Sequence, residues 1–307
     1  MKPAYYIYIF LSTIAFSCET TEKIDDFPLR PSKLVINCYF EADSLWEFQV
    51  SKSLSVLDNA PLKTIKNATI RLFQEGVLLD SINVMDDDGY YRSNENLPEE
   101  GKEFSIEVSS PDFKDVLNAK DIVPKKTSIA KVEVLLSDTS FYYYDEYNSW
   151  GHVKGSFEIT FSDQKDVSNY YQLMAYYNDS LFNYFEDGPV FSHVERRMIS
   201  VSSEDISVEN STEYGNSILI NDHIYDGKNY TISIDFEDWS AKKGRDYYLE
   251  LTSITREGFL YRKTIQEYDN SRNDPFSEPV IIYSNVNNGF GIFSGLSRSI
   301  YTLSAPF

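Results

Sequence analysis

The chain has 307 residues, with 28 basic and 48 acidic side chains and a net charge of −20. A charge of that sign repels phosphate backbones and no Lys/Arg cluster interrupts it, so nucleic acid is excluded as a partner. The 24 tyrosines and 20 phenylalanines, with frequent Val, Ile, Ser and Thr and only 13 glycines, favour strands over helices.

Lys2 is followed by "AYYIYIFLSTIAF", a mostly apolar run from Ala4 to Phe16 that ends beside Ser17. A positive start, a short apolar stretch and a small residue make a signal-peptide profile over residues 1–17. Crossing about 30 Å of hydrocarbon at about 1.5 Å per residue takes roughly 20 apolar residues, so the run is too short to span a membrane. Ala15-Phe16-Ser17-Cys18 resembles a bacterial lipobox, although Phe16 is bulkier than the residue usual there. Cys18 is therefore the predicted lipidation site, with an ordinary secretory signal beside a chance cysteine as the alternative. Residues 18–32 include "ETTEKIDD", which lacks apolar periodicity and predicts a flexible tether. An acidic run after an acylated cysteine also resembles the surface-export signal of Bacteroidetes lipoproteins. Removing residues 1–17 takes away one charge, that of Lys2, and brings the net charge to −21. That acidity opposes docking on anionic lipid, so the acyl chains would be the only membrane attachment. Cys38 then has no intramolecular partner, and within "LVINCYF" it reads as a small buried strand residue.

The mature length favours two domains. "LVINCYF", "WEFQVSKSL", "ATIRLFQEG" and "VLLDSINVM" are short, β-rich and mostly alternating, and Ile70 and Leu72 share one face. Asp88-Gly89 and Gly101 are turn signals, and Phe104, Ile106 and Val108 alternate after the second. Turns spaced by about 8 to 12 residues predict an immunoglobulin-like β-sandwich over residues 33–125. Pro124, followed by Lys125-Lys126, marks the boundary.

Residues 126–307 are predicted to form a second β-rich sandwich or barrel-like domain. "TSFYYYDEYNSWGH", Thr139 to His152, reads as a polar and aromatic loop or hairpin tip. Within it "FYYYDEY" would be either a platform for sugar rings or a protein partner, or a partly buried strand pair. Strands are expected at "GSFEITFSD", "NYYQLMAYYND", "RRMISVSS", "NYTISIDFED" and "DYYLELTSIT", separated by long polar connections. One helix is expected near the C-terminal end, at "REGFLYRKTIQEYDNSRNDP". There Tyr261, Ile265 and Tyr268 are spaced by four and three, and Asp274-Pro275 supplies the stop. "VIIYSNV" then predicts a strand, and "NNGFGIFSG" a turn before the final strand.

Several of these stretches together resemble one family: "SKSLSVLDNAPLKTIKNATIRLF", "DDGYYRS", "LPEEGKEFSIEVSSPDF", "IVP" and "FLYRKTIQEYDNSRNDPFSEPVIIYSNVNNGFGIFSG". They are similar to the DUF4249 lipoproteins of Bacteroidetes, over nearly the whole mature chain and most specifically from "NDPFSEP" onward. The family is functionally uncharacterised and brings no catalytic motif; Cys18 carries over as its lipidated position. The resemblance implies an outer-membrane lipoprotein, periplasm-facing or exposed at the cell surface, beside a TonB-dependent receptor in the cell envelope.

No reaction is legible. His152, His193 and His223 are isolated, so a zinc site would need distant loops, and nothing selects a serine for a triad or a carboxylate pair for glycoside hydrolysis. "GFGIFSG" departs from the dinucleotide fingerprint at Ser294, lacks the P-loop lysine and fails the nucleophile elbow. Fitting "DDDG", Asp86 to Gly89, to an EF-hand loop puts Val84 at the first ligand position, so a hairpin turn is preferred to weak calcium binding. Asn285, Asn288 and Gly289 would either form a tight turn with a packing contact or line a ligand or receptor contact. No catalytic residue, metal ligand or cofactor is predicted, and no enzyme activity. The expected role is that of a lipid-anchored binding protein accessory to a TonB-dependent receptor in nutrient capture. The alternative is a structural or interaction protein of the envelope without a small ligand.

Overall fold

The computed structural model describes residues 31–55, 61–143, 149–185, 188–209, 216–272 and 276–304. The predicted signal peptide, Cys18, most of the tether, the tip of the hairpin inside residues 139–152 and the Asp274-Pro275 stop lie outside the described residues.

In the first two fifths of the chain run β1 (Leu34–Glu41), β2 (Trp46–Lys52), β3 (Thr69–Gln74), β4 (Val77–Ile82), β5 (Tyr91–Ser93), β6 (Glu103–Ser109) and β7 (Leu117–Ile122). Longer strands follow: β8 (Ile129–Tyr143), β9 (Ser149–Ser162), β10 (Tyr170–Phe185) and β11 (Gly188–Ser202). After them come β12 (Val208–Glu209), β13 (Ile218–Asn221), β14 (Asn229–Ala241), β15 (Asp246–Ile254), α1 (Arg256–Ser271) and β16 (Phe290–Ser304). The protein is mainly β, with one helix near its C-terminus among the described residues. A twelve-stranded sheet runs β5-β2-β1-β16-β15-β10-β11-β14-β9-β8, with β13 on β10 and β12 on β13, and a four-stranded sheet runs β4-β3-β6-β7. The large sheet is mixed because β1 and β16 pair in parallel, Val35 with Phe290 through Glu41 with Leu296.

Alternation explains the first core. Leu34, Ile36, Cys38 and Phe40 of β1 point inward with Trp46, Phe48 and Val50 of β2, and meet Ile70, Leu72, Phe104, Ile106 and Val108 from the four-stranded sheet. Burial also pushes the Cys38 thiol well up from its ordinary value, with the Glu47 charge adding to it. Trp46 lies 5.1 Å from the rings of both Phe40 and Phe104, and Phe293 of β16 stacks on Phe40 at 4.5 Å. Residues near both ends of the chain thus close one core. The first half of β16 pairs with β1 and its second half with β15, Leu296 facing Ile254 and Ser304 facing Asp246.

A second core takes Ile129 and Val132 from β8, Phe157, Ile159 and Phe161 from β9, Tyr171 and Leu173 from β10, Ile232 and Ile234 from β14, and Leu249 and Leu251 from β15. Strands far apart in the sheet order share these contacts, so the sheet wraps around its own apolar face. Helix α1 is seated by Phe259 against Leu219, Ile254 and Leu296. The helix forms where its sequence predicts. The Tyr261–Ile265–Tyr268 line does not anchor it, however: Gly258 and Phe259 are its buried residues, and Tyr268 is 42 % exposed.

"VIIYSNV" is not a strand; residues 280–286 are irregular. Side chains supply what a ladder would: Tyr283 N–H donates to Thr264 Oγ1 at 2.9 Å, and the Asn285 amide spans Phe293, donating to its carbonyl at 2.7 Å and accepting from its N–H at 3.1 Å. Backbone groups so satisfied need no neighbouring strand.

Candidate functional site

A cleft of about 1100 Å³ opens where Lys120–Lys125, at the end of β7, meet residues 164–170, the N-terminus of α1 and residues 283–287. Two irregular segments, residues 163–169 after β9 and residues 280–286 after α1, supply much of its wall. Asp121 lines it and is 8 % exposed. Thr255, the N-cap of α1, donates its hydroxyl to Asp121 Oδ2 at 2.6 Å and accepts the Gly258 N–H at 3.2 Å. Gly295 N–H donates to the same Asp121 oxygen at 3.2 Å, and Ile122 N–H to Oδ1 at 2.9 Å. Burial pushes the Asp121 carboxyl up to about 7, further raised by Glu257 and opposed by these hydrogen bonds. The cleft therefore contains a group able to hold or release a proton near neutral pH, beside the positive end of a helix.

A second constellation lies where two turns leave the wrapped sheet. Pairing of Ser162 with Asn229 and of Tyr170 with Asn221 brings the connection after β9 against the connection after β13. Asp163, Asp222 and Asp226 then offer carboxylate oxygens that all lie within 4.8 Å of one another. Asp163 and Asp222 are 8 % and 3 % exposed. Hydrogen bonds orient them: Tyr171 OH donates to Asp163 Oδ1 at 2.5 Å, Gly227 N–H to Asp163 Oδ2 at 2.9 Å, Asn169 N–H to Asp222 Oδ2 at 2.6 Å and Asp166 N–H to Asp226 Oδ1 at 2.8 Å. Burial raises the Asp163 carboxyl, and the charges of Asp222 and Asp226 add to that. Two unit charges no more than 4.8 Å apart repel by at least about 3.5 kcal/mol at an effective dielectric of about 20, a cost that a cation held between them would offset. Hard oxygen donors of this kind suit calcium or magnesium rather than zinc. The residues were not singled out in the sequence; the available signal was two Asp-bearing connections, one with the turn pair Asp226-Gly227, each opening just past a β-rich run.

The other predicted positions resolve differently. Asp86 and Asp88 bracket Arg92, whose guanidinium lies 2.8 Å from Asp86, 2.7 Å from Asp88 and 2.6 Å from Glu47. Asp88 is held below its usual range chiefly by its hydrogen bond to Arg92. The turn thus has its cation in the chain. Asn285 ties Phe293, Asn288 donates to the Val116 carbonyl at 3.1 Å, and a Cβ on Gly289 would lie 2.5 Å from Leu117 Cδ1. Asn288 and Gly289 thus serve the turn and its packing, while Asn285 both ties Phe293 and lines the cleft. His152 sits 2.8 Å from Glu237 and stacks on Trp239 at 3.8 Å, while His193 and His223 are exposed. No histidine joins a group of three possible metal ligands among the described residues.

No curated protein matches the chain. A family model described as "Domain of unknown function (DUF4249)" matches residues 17–301, and with nearly the whole sequence covered, the chain belongs to the DUF4249 family.

Proposed function

We propose that the protein is a lipid-anchored binding protein of the outer membrane, held by Cys18 and working beside a TonB-dependent receptor in nutrient capture. The observation that carries this reading is the cleft of about 1100 Å³, at the large end of the size of small-molecule sites and lined by convergent polar groups including Asp121. In this reading the N-terminal unit is an immunoglobulin-like sandwich and the wrapped sheet a barrel-like ligand platform. The acyl-cysteine reading of Ser17-Cys18 supports the location, and among the described residues no helix is long and apolar enough to cross a membrane. A second reading, an envelope protein acting through protein contacts alone, draws on the exposed Phe276, Ile281 and Trp239, which are 94 %, 87 % and 64 % accessible.

The test is gentle detergent purification of the tagged protein, with mass spectrometry of its companions and another surface lipoprotein as control. One TonB-dependent receptor in near-equal amount is the expected result. Recovery of the lipoprotein alone would contradict the accessory role. Cys18→Ala is expected to abolish incorporation of a labelled fatty acid, and continued labelling would refute the anchor.

A further inference from the structure

We propose that Asp163, Asp222 and Asp226 form a calcium site that fastens the connection after β9 to the connection after β13. Three carboxylates converge within 4.8 Å, two of them buried, and among the described residues none of the three has a Lys, Arg or His ion-pair partner. Lys165, on the same connection, lies instead 3.9 Å from Asp166.

Tyr225 supplies an independent observation. It is 2 % exposed, stacks on Tyr230 at 4.0 Å, and its hydroxyl has no hydrogen-bond partner among the described residues. Its backbone N–H donates to the Asp222 carbonyl at 3.0 Å, and its ring shares Phe161 with Tyr171, whose hydroxyl donates to Asp163. A buried hydroxyl is costly to leave unpaired, and a hydrated cation between the carboxylates brings a water for it. Hydrogen bonds already made use one lone pair on each accepting carboxylate oxygen, so the opposite lone pairs stay available.

The donor set favours calcium over magnesium. Calcium accepts six to eight oxygens in variable geometry, suited to two loops of unequal exposure, whereas magnesium requires a near-ideal octahedron and gives up its water reluctantly. The exposure of Asp226 fits the weaker range typical of extracellular modules, with Kd of about 10⁻⁴ to 10⁻³ M. The same loop supplies Gln164, Val167, Ser168 and Asn169 to the cleft wall, so the ion would order one side of the cleft.

Calorimetric titration of the chelator-stripped full chain with CaCl₂ and, separately, MgCl₂ tests the site. Calcium is expected to bind with a stoichiometry of one and to raise the folded-to-unfolded ratio about 100-fold at 100 times Kd. Asp226→Asn, at an exposed position whose loss leaves the core intact, is expected to remove this response. Tyr225→Phe is expected to weaken calcium about tenfold while leaving the calcium-free protein at least as stable, as for loss of a group supporting the ligand shell. Asp86→Asn, at the turn already neutralised by Arg92, is expected to change nothing in the titration. No calcium response, an undiminished response in Asp226→Asn, or magnesium binding as tightly as calcium would each overturn the assignment.

Discussion

The C-terminal block from Tyr283 to Gly295 and the two plain connections after β9 and β13 make opposite use of distinctive sequence. The block is the most recognisable part of the chain; residues 283–287 line one side of the cleft, yet its glycines and the Asn285 amide are occupied in holding β16 against its neighbours. A Cβ at Gly291, where φ is +105°, would lie 1.9 Å from the Ile36 carbonyl oxygen, and one at Gly295 would lie 1.8 Å from the Ile122 carbonyl oxygen. The connections carry ordinary turn residues, yet they bring together the three carboxylates and one wall of the cleft. Steric exclusion leaves a strong mark on sequence, because only glycine fits. A cluster of oxygen ligands leaves a faint one, because aspartate is also a common turn residue.

The largest expected effect falls on the block. Gly291→Ala forces both a left-handed backbone and a collision with β1, and is expected to cost more than about 5 kcal/mol, enough to unfold a marginally stable chain. Circular dichroism during urea unfolding would read it. A variant with wild-type stability would break the claim that the block is structural.

Asp121, where block and cleft meet, comes next. Its folded pKa, about 7, lies above the unfolded value of about 3.9, so the folded state binds the extra proton. Its contribution to stability is present below the unfolded pKa, declines as pH rises through the interval and is lost above about 7. The full change amounts to roughly 4 kcal/mol. Asp121→Asn is expected to unfold with a shallower decline between pH 4 and pH 7, measured by urea midpoints at each pH. Parallel profiles would place the titration elsewhere.

For the connections, calcium at 100 times its Kd is expected to stabilise the wild type by about 2.7 kcal/mol and Asp226→Asn by none. The smallest effect belongs to the other acidic turn. Arg92→Gln is expected to lower the thermal midpoint only slightly, because its partners are largely solvated, and to leave the calcium response untouched. A calcium response that appears at this turn in Arg92→Gln would sharpen the comparison, showing that the guanidinium stands where an ion could.

Local order was legible in the sequence. Alternation at Ile70 and Leu72, and at Phe104, Ile106 and Val108, predicted shared faces that are buried. The helix also lies within the stretch that the sequence marked out, although the Thr255 cap was not read there. Parallel pairing of β1 with β16 was not legible, because its partners are more than 250 residues apart and neither strand alone specifies the other. "VIIYSNV" misled for a related reason: its β-branched residues suit a strand, but Thr264 and Asn285 supply hydrogen bonds through side chains. The Asp163–Asp222–Asp226 group depends on the register of β9 with β14 and of β10 with β13, which only the folded sheet fixes.

Terbium luminescence tests the central claim most directly, since terbium replaces calcium and is sensitised by tyrosine close to the ion. Excitation of tyrosine in the wild type is expected to give terbium emission that calcium displaces. Emission should fall in Tyr225→Phe and vanish in Asp226→Asn. Equal emission from wild type and Asp226→Asn would contradict the account and leave the two connections as ordinary acidic turns.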